Sequence, residues 1–343
     1  MNTTHGSNVS APTPGLPSVS GPEWMYVQTT EVIIAIIGVI SNFVVIVVMV
    51  GIPTLRCKFT YKMTACLAVS DFISCIFLIP RTMRGMFPIP SGIAGEIYCR
   101  TVKATVLWVS LVASTYSLVA ITCERYFAIV HPISYNVHKK KIPAWSVVTA
   151  VWLLSFVMQS FCVYNNSYSA EMQNCKYQWP LGEWYQTFVG VGLFFSTYFI
   201  PILILLVAYC RILVAFRQNE SNTGLNNSGT GGKSATVKAK KKVVKMFLVV
   251  CLAFAVCWGP NQFIFLLSNF GFNNYSQTFY NFTRILAACN SCINPFVYAV
   301  WSKPFRNGVA AIFCCRGQKV SVDSAEEANT QDSRESRTRT TQA

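Results

Sequence analysis

Seven apolar stretches of about 20 residues each constrain the fold of this chain more than any other feature. They cover residues 29–51, 62–82, 102–123, 143–164, 186–210, 243–268 and 282–300. A helix rises about 1.5 Å per residue, so each stretch can cross the roughly 30 Å hydrocarbon core of a bilayer. Only 12% of the 343 residues are charged, about half the share found in soluble domains. The sequence therefore predicts an all-α membrane protein, a seven-transmembrane helix bundle.

Basic residues predict how the bundle is oriented. If the N-terminus is outside, six of the 28 Lys and Arg residues lie on the outer side and the other 22 on the inner side. Such an excess on the cytoplasmic side determines membrane topology, so we expect a multi-pass plasma-membrane protein with an extracellular N-terminus. The inner clusters favour contact with anionic membrane lipid. The net charge of +15 therefore does not indicate nucleic-acid binding.

The chain divides into four predicted parts. Residues 1–25 form a polar extracellular tail, residues 26–301 the bundle, residues 302–316 a short amphipathic eighth helix, and residues 317–343 a disordered cytoplasmic tail. The first tail has no apolar segment of the signal-peptide type, so the first span is expected to direct insertion. Four N-x-S/T sites on the outer side are predicted to carry N-glycans: Asn2, Asn8, Asn165 and Asn274.

The cysteines differ in the compartment that each one faces. Cys99 and Cys175 lie on the oxidising outer side and outside helix interiors, so a disulfide between them is predicted, with Cys162 as the alternative partner. Adjacent Cys314 and Cys315 follow the amphipathic segment "SKPFRNGVAAIF". They are predicted palmitoylation sites, and the alternative is that they remain unmodified.

Asp71 is an acid in the middle of the second span, where a charge is costly and indicates function. Its expected neighbours are oxygen-bearing side chains on other spans: Asn42, Ser114, Asn290, Ser291 and Asn294. One carboxylate with hydroxyl and amide oxygens suits a hard monovalent cation, so we predict a sodium site formed by Asp71, Ser114, Asn290, Ser291 and Asn294. A water-filled structural hydrogen-bond network is the alternative.

Glu124 and Arg125 end the third apolar stretch at its cytoplasmic side. Arg125 alone could extend to lipid headgroups. The adjacent glutamate favours another interpretation, in which Glu124 holds Arg125 in a resting state and a conformational change releases it to a cytoplasmic partner. We call Glu124 and Arg125 the cytoplasmic latch.

The spans carry an ordered series of motifs that resembles rhodopsin-like G-protein-coupled receptors over residues 25–315. These include Asn42 in G-x-x-S-N, Asp71 in L-A-V-S-D, Trp152, E-R-Y from Glu124 to Tyr126, Pro201 with Tyr209, C-W-x-P, N-P-x-x-Y and Phe305. The resemblance implies that an extracellular agonist moves the sixth helix and exposes Arg125 to a heterotrimeric G protein, and later to arrestin. The residues implied in coupling and activation are Glu124, Arg125, Tyr126, Tyr209, Phe254, Trp258, Pro260, Asn294, Pro295 and Tyr298.

The sequence departs from the family at the top of the third helix. The interval from Cys99 to Arg125 is one residue longer than is usual in the family, which predicts a bulge or a shifted bridge there.

Other classes of seven-span membrane protein fit the sequence less well. A zinc hydrolase needs intramembrane histidines, an opsin needs a lysine where Ala288 stands, and a transporter is expected to show internal repeats. No enzyme activity and no cofactor are expected, apart from an allosteric sodium ion.

The outer halves of the spans predict the kind of ligand. Leu107 occupies the place of the aspartate that binds amines in related receptors, so a small amine is not expected. The remaining candidates are cationic, aromatic or amide side chains, and the predicted contacts are Arg81, Arg84, Lys103, Leu107, Trp108, Asn261, Gln262, Phe265, Tyr280 and Arg284. This set resembles neuropeptide receptors, with Arg284 facing an anionic or carbonyl group. A melatonin-like ligand or a small acid is the alternative.

The cations of this set have other possible partners. Each could extend to lipid headgroups, or it could pair with an outer acid such as Glu96, Glu171 or Glu183.

Overall fold

The computed structural model describes residues 22–83, 88–138, 142–224, 231–272 and 274–313. Within these ranges, six helices or helix runs are long and apolar enough to cross a membrane. A seventh candidate is a pair of helices, Gln277–Trp301 and Lys303–Phe313, with a 94° bend between them. The predicted seven-helix bundle with a short eighth helix is thereby confirmed.

The first four spans differ in how continuous they are. In chain order, the elements are α1 (Pro22–Gly51), α2 (Pro53–Arg56), α3 (Phe59–Thr82), α4 (Gly92–Ile97), a π-helical segment (Tyr98–Thr105), α5 (Val106–Val130), α6 (Pro132–His138), α7 (Ala144–Gln159) and α8 (Phe161–Asn165). The first and second spans are α1 and α3. The third span is the run from α4 to α5, and the fourth is α7 with α8.

The second half of the chain begins with an outer hairpin of two antiparallel strands, β1 (Asn166–Ser169) and β2 (Asn174–Tyr177). The remaining elements are α9 (Glu183–Phe194), a second π-helical segment (Phe195–Phe199), α10 (Ile200–Gly224), α11 (Gly231–Asn269), α12 (Gln277–Trp301) and α13 (Lys303–Phe313). The fifth span runs from α9 to α10, the sixth is α11, the seventh is α12, and α13 is the eighth helix.

Side chains that line the bundle axis form one buried cluster, whereas those on the opposite faces are exposed. The cluster includes Val45, Met63, Leu118, Phe247 and Tyr298. Large apolar side chains on the outside of the bundle are exposed, as expected when lipid rather than water surrounds the helices.

Several helices extend well beyond the apolar stretches that predicted them. The third span runs from Gly92 to Val130 rather than over 102–123, α10 ends at Gly224 rather than at 210, and α11 begins at Gly231 rather than at 243. Hydropathy reports only the part of a helix that lies in hydrocarbon. Backbone hydrogen bonding continues into water where the sequence contains good helix formers such as Ala and Lys.

The π-helical segment Tyr98–Thr105 lies at the outer end of the third span. A π turn accommodates one extra residue in an otherwise α-helical run. The bulge predicted from the long Cys99-to-Arg125 interval is therefore confirmed.

Candidate functional site

Asp71 lies at the centre of a fully buried polar cluster between three spans. Its carboxylate has no exposed surface. Ser114 on α5 donates its hydroxyl to Oδ1 over 2.7 Å, and Asn294 on α12 donates its amide to Oδ2 over 2.8 Å. Ser291 lies beside the same carboxylate. Asp71 on α3 therefore does meet predicted neighbours on α5 and α12.

The surrounding polar groups connect α1 and α5 to this cluster. Asn42 donates its amide to the carbonyl of Ser291 over 2.8 Å, and the hydroxyls of Ser74 and Ser110 lie 2.8 Å apart. Asn290 is buried on the same helix as Ser291. A buried carboxylate with nearby hydroxyl oxygens fits the donor chemistry of sodium. Because Asn294 presents its nitrogen to Asp71, its role in this arrangement is to position the carboxylate.

The cytoplasmic latch lies at the inner end of α5. Arg125 Nε is 2.9 Å from Glu124 Oε2. Thr60 on α3 donates to Glu124 Oε2 over 3.0 Å, and Tyr135 on α6 donates to Glu124 Oε1 over 2.6 Å. Glu124 is buried, so its charge is stabilised by these three contacts rather than by water. The predicted pairing of Glu124 with Arg125 is present, and sequence reasoning missed the other two partners.

The other predicted activation residues line the interior beside α11. Tyr298 packs against Phe247, with ring centroids 6.5 Å apart, and against Phe305 of the eighth helix at 6.3 Å. Phe254 packs against Tyr198 at 6.1 Å. Further residues of the set are buried or lie within helices: Tyr209, Trp258, Pro260 and Pro295. Aromatic contacts therefore connect the sixth span with the fifth and the seventh.

Arg81 and Trp108 come together at the outer end of the bundle. The Arg81 guanidinium carbon lies 5.0 Å from the Trp108 ring centroid, a cation–π distance. Leu107, next to Trp108, is buried. Two of the predicted pocket residues therefore form one surface between α3 and α5.

Arg284 is paired with an acid that sequence reasoning missed. Its Nη2 lies 2.7 Å from Oε2 of Glu31 on α1. We call Glu31 and Arg284 the outer ion pair. Thr82 on α3 also donates to Glu31 Oε2, over 3.0 Å. Glu31 is the one acid in the sequence of the first apolar stretch, 29–51, and an acid within a span was the signal that could have identified it.

Glu96, one of the three acids that could pair with the pocket cations, has a different partner. Glu96 binds Arg100, with Nε to Oε2 at 3.1 Å, instead of a pocket cation. Lys103 donates to the Asn174 side chain over 3.2 Å. Tyr280 stacks on Tyr275 with centroids 5.8 Å apart.

The remaining predicted contacts lie on one helix or outside the described residues. The three on α11 are partly exposed: Asn261, Gln262 and Phe265. Arg84 lies outside the described residues.

A disulfide and a polar clamp hold the outer hairpin against the top of the third span. Cys99 is bonded to Cys175, as predicted. The alternative partner Cys162 is a buried free thiol. Glu96 also accepts from the backbone N–H of Tyr168 over 3.2 Å, and Arg100 donates to the carbonyl of Val163 over 2.8 Å.

One of the predicted glycosylation sites, Asn165, is buried. Asn165 has only 2% exposure, and its amide lies 3.5 Å from the hydroxyl of Tyr177, whose pKa is raised by burial. A glycan on this amide would displace Tyr177, so the packing argues against glycosylation at Asn165. Asn274 is exposed. The other predicted modification sites lie outside the described residues: Asn2, Asn8, Cys314 and Cys315.

Seven spans, a buried polar centre and the Glu124–Arg125 ion pair at one end of the bundle describe a seven-helix membrane protein. The sequence model of the family "7 transmembrane receptor (rhodopsin family)" matches residues 41–298. The chain belongs to this family, whose members are receptors rather than enzymes.

Similar receptors come from insects and vertebrates. The chain is 31% identical to the allatostatin-A receptor of Bombyx mori, over 82% of this chain and 78% of that receptor. It is 28% identical to galanin receptor 2b of Danio rerio, over 86% and 76% of the two chains. It is 26% identical to the cholecystokinin receptor of Xenopus laevis, over 82% and 75%.

Proposed function

We propose that the protein is a plasma-membrane receptor, with its N-terminus outside, that binds an extracellular peptide and activates a heterotrimeric G protein. The observation that supports coupling best is the cytoplasmic latch. Glu124 is buried, and it binds Arg125 and accepts hydrogen bonds from two other elements. Such a cluster stabilises one arrangement of the helices and can be released in another.

Agonist binding is proposed to act by a population shift. An agonist stabilises the active state only if it binds that state better than the resting state. Phe254, Trp258 and Pro260 lie on α11 between the outer residues and the latch. Movement of α11 would expose Arg125 and Tyr209 to the G protein and afterwards to arrestin.

The peptide class is supported by the relatives and by the outer residues. The similar receptors are named for allatostatin-A, galanin and cholecystokinin. Arg81 over Trp108 offers a cationic and aromatic surface, and Arg284 keeps 19% of its side chain exposed. We propose that the agonist presents a carbonyl or acidic group to Arg284, with the other predicted pocket residues around it.

Three further properties belong to the same proposal. Sodium binds beside Asp71 in the resting state. Glycans are attached at Asn2, Asn8 and Asn274. Palmitate at Cys314 and Cys315 holds the end of the eighth helix at the anionic inner leaflet.

A peptide-library screen tests the proposal. Cells that express the receptor with a promiscuous G protein are exposed to pooled peptides, and second-messenger release is recorded. The matched control is Arg125→Ala at equal surface expression, which should give no response. Signals from this control that equal those of the native receptor would contradict the mechanism. A response to small acids but not to peptides would favour the alternative ligand class.

A second assay separates a receptor from a transporter. Purified receptor is mixed with purified G protein, and guanine-nucleotide exchange is timed with and without the active pool. Faster exchange supports coupling, whereas solute uptake into vesicles without any exchange would identify a transporter.

A further inference from the structure

The outer ion pair places a negative charge inside the proposed agonist site. Glu31 has 2% exposure and comes from α1, whereas Arg284 comes from α12. Thr82 on α3 donates to the same carboxylate oxygen as Arg284, and its own carbonyl accepts from Gln28 over 2.8 Å. Three spans therefore hold the Glu31 carboxylate in one position.

The buried carboxylate changes what Arg284 can bind. Its charge already balances the guanidinium, so an incoming carboxylate would bring a second negative charge to a single positive one. Two carboxylates that share a site disfavour each other's ionised form, and burial increases the penalty. An uncharged carbonyl group does not meet this repulsion, and it still accepts a hydrogen bond from the exposed part of Arg284.

A C-terminal carboxamide is an uncharged group of this kind, and its oxygen accepts a hydrogen bond from a guanidinium. Glu31 has only 2% exposure, so it acts on the ligand through its charge and not through a direct contact. A carboxamide has nearly the shape of a free carboxylate but carries no charge, so the charge of Glu31 distinguishes the two groups.

We propose that Glu31 is a specificity-determining residue, which selects ligands that carry an uncharged carbonyl group, such as a C-terminal carboxamide, and rejects a free carboxylate. The inference rests on the proposed function, because it requires that Arg284 contacts the agonist. It narrows the proposed ligand from any carbonyl or acidic group to an uncharged one.

Paired peptide libraries test the role of Glu31. The same set of random short peptides is synthesised once with C-terminal carboxylates and once with C-terminal carboxamides. Each set is incubated with purified full-length receptor in lipid nanodiscs, and the retained peptides are quantified by mass spectrometry. We expect the native receptor to retain carboxamides about tenfold or more better than the matching acids.

Two variants distinguish the effect of the Glu31 charge from the effect of removing any acidic side chain. Glu31→Gln should remove the preference or reverse it in favour of acids. Glu183→Gln removes an equal charge from an exposed position on α9, and it should keep the preference. If Glu31→Gln is not recovered in folded form, the double variant Glu31→Gln/Arg284→Gln replaces it. In the double variant neither residue of the pair is charged, so the pair has no net charge, as in the native receptor. This variant should show no preference between the two termini.

The possible outcomes separate this inference from the proposed function. Retention of both sets without preference by the native receptor overturns the role of Glu31 but leaves a peptide receptor. A preference that persists in Glu31→Gln overturns it in the same way. Retention of neither set overturns the proposed peptide ligand and, with it, this inference.

Discussion

Neutralising Glu124 should raise signalling in the absence of agonist. Glu124→Gln keeps the size of the side chain but removes the charge that binds Arg125 and accepts from Thr60 and Tyr135. If these contacts hold the resting arrangement and are lost on activation, weakening them stabilises the active state relative to the resting state.

The size of the effect follows from these three contacts. A hydrogen bond to a charged group contributes about 1.5–3 kcal/mol, and one between neutral groups about 0.5–1.5 kcal/mol. Arg125 is partly exposed, with 20% of its side chain accessible, so its pairing contributes less than that of a fully buried ion pair. The change from charged to neutral therefore costs about 1 kcal/mol for each of the two hydrogen bonds, and the ion pair adds a smaller amount. We expect a total shift of about 2–3 kcal/mol, or about 30- to 150-fold in the ratio of active to resting receptor.

Tyr135→Phe provides a graded comparison. It removes one donor to the charged Glu124 and leaves the ion pair in place, so the shift should be about 1.5 kcal/mol, or roughly tenfold. The assay is basal guanine-nucleotide exchange in membranes, normalised to surface receptor. Unchanged basal exchange in both variants, at native surface levels, would refute the assignment of Glu124 as a resting-state contact.

Three further predictions concern the interior, the outer ion pair and the outer hairpin. Sodium should weaken agonist binding to the native receptor but not to Asp71→Asn, and equal sodium dependence in radioligand assays of both would leave only the structural network. Arg284→Gln should destabilise the receptor by about 3 kcal/mol, because Glu31 is left buried without its counter-ion. The double variant Arg284→Gln/Glu31→Gln should recover most of the loss in thermal-denaturation midpoint. No recovery would argue against a coupled pair. Gly95→Ala would place a Cβ atom against a backbone carbonyl oxygen, whereas the Cβ atom of Gly192→Ala would meet nothing within 4 Å. We expect a lower thermal-denaturation midpoint for Gly95→Ala only, with a cost of about 1–3 kcal/mol in stability.

Much of the fold could be predicted from the sequence because lipid imposes a simple rule. Every backbone polar group in hydrocarbon must be satisfied within its own helix, so apolar length alone identifies the spans. The Cys99–Cys175 bridge was predictable because only these cysteines lie on the predicted outer side and outside the apolar stretches of the sequence. The buried neighbours of Asp71 could be predicted for a related reason, since an intramembrane acid requires polar partners.

The outer site was less predictable, because it depends on which helix faces which. Glu31 stands near the end of an apolar stretch, where a glutamate is usually exposed to headgroups or water. Its burial follows from the close approach of α1 to α3 and α12, which no local pattern encodes. The outer hairpin was missed because each strand has only four residues, too few for an alternating pattern to be recognised.

The π-helical segment Tyr98–Thr105 affects how knowledge can be transferred from other receptors to this one. If residues are counted from Arg125 toward the outer end of the span, they correspond one by one to those of other receptors as far as Trp108 and Leu107. Both residues lie between Arg125 and the segment. Across the segment the count becomes displaced by one, so a match of Lys103, which lies within it, cannot be made by this count. A chimera or docking study should therefore use Arg125 as its reference below Thr105 and Cys99 above it.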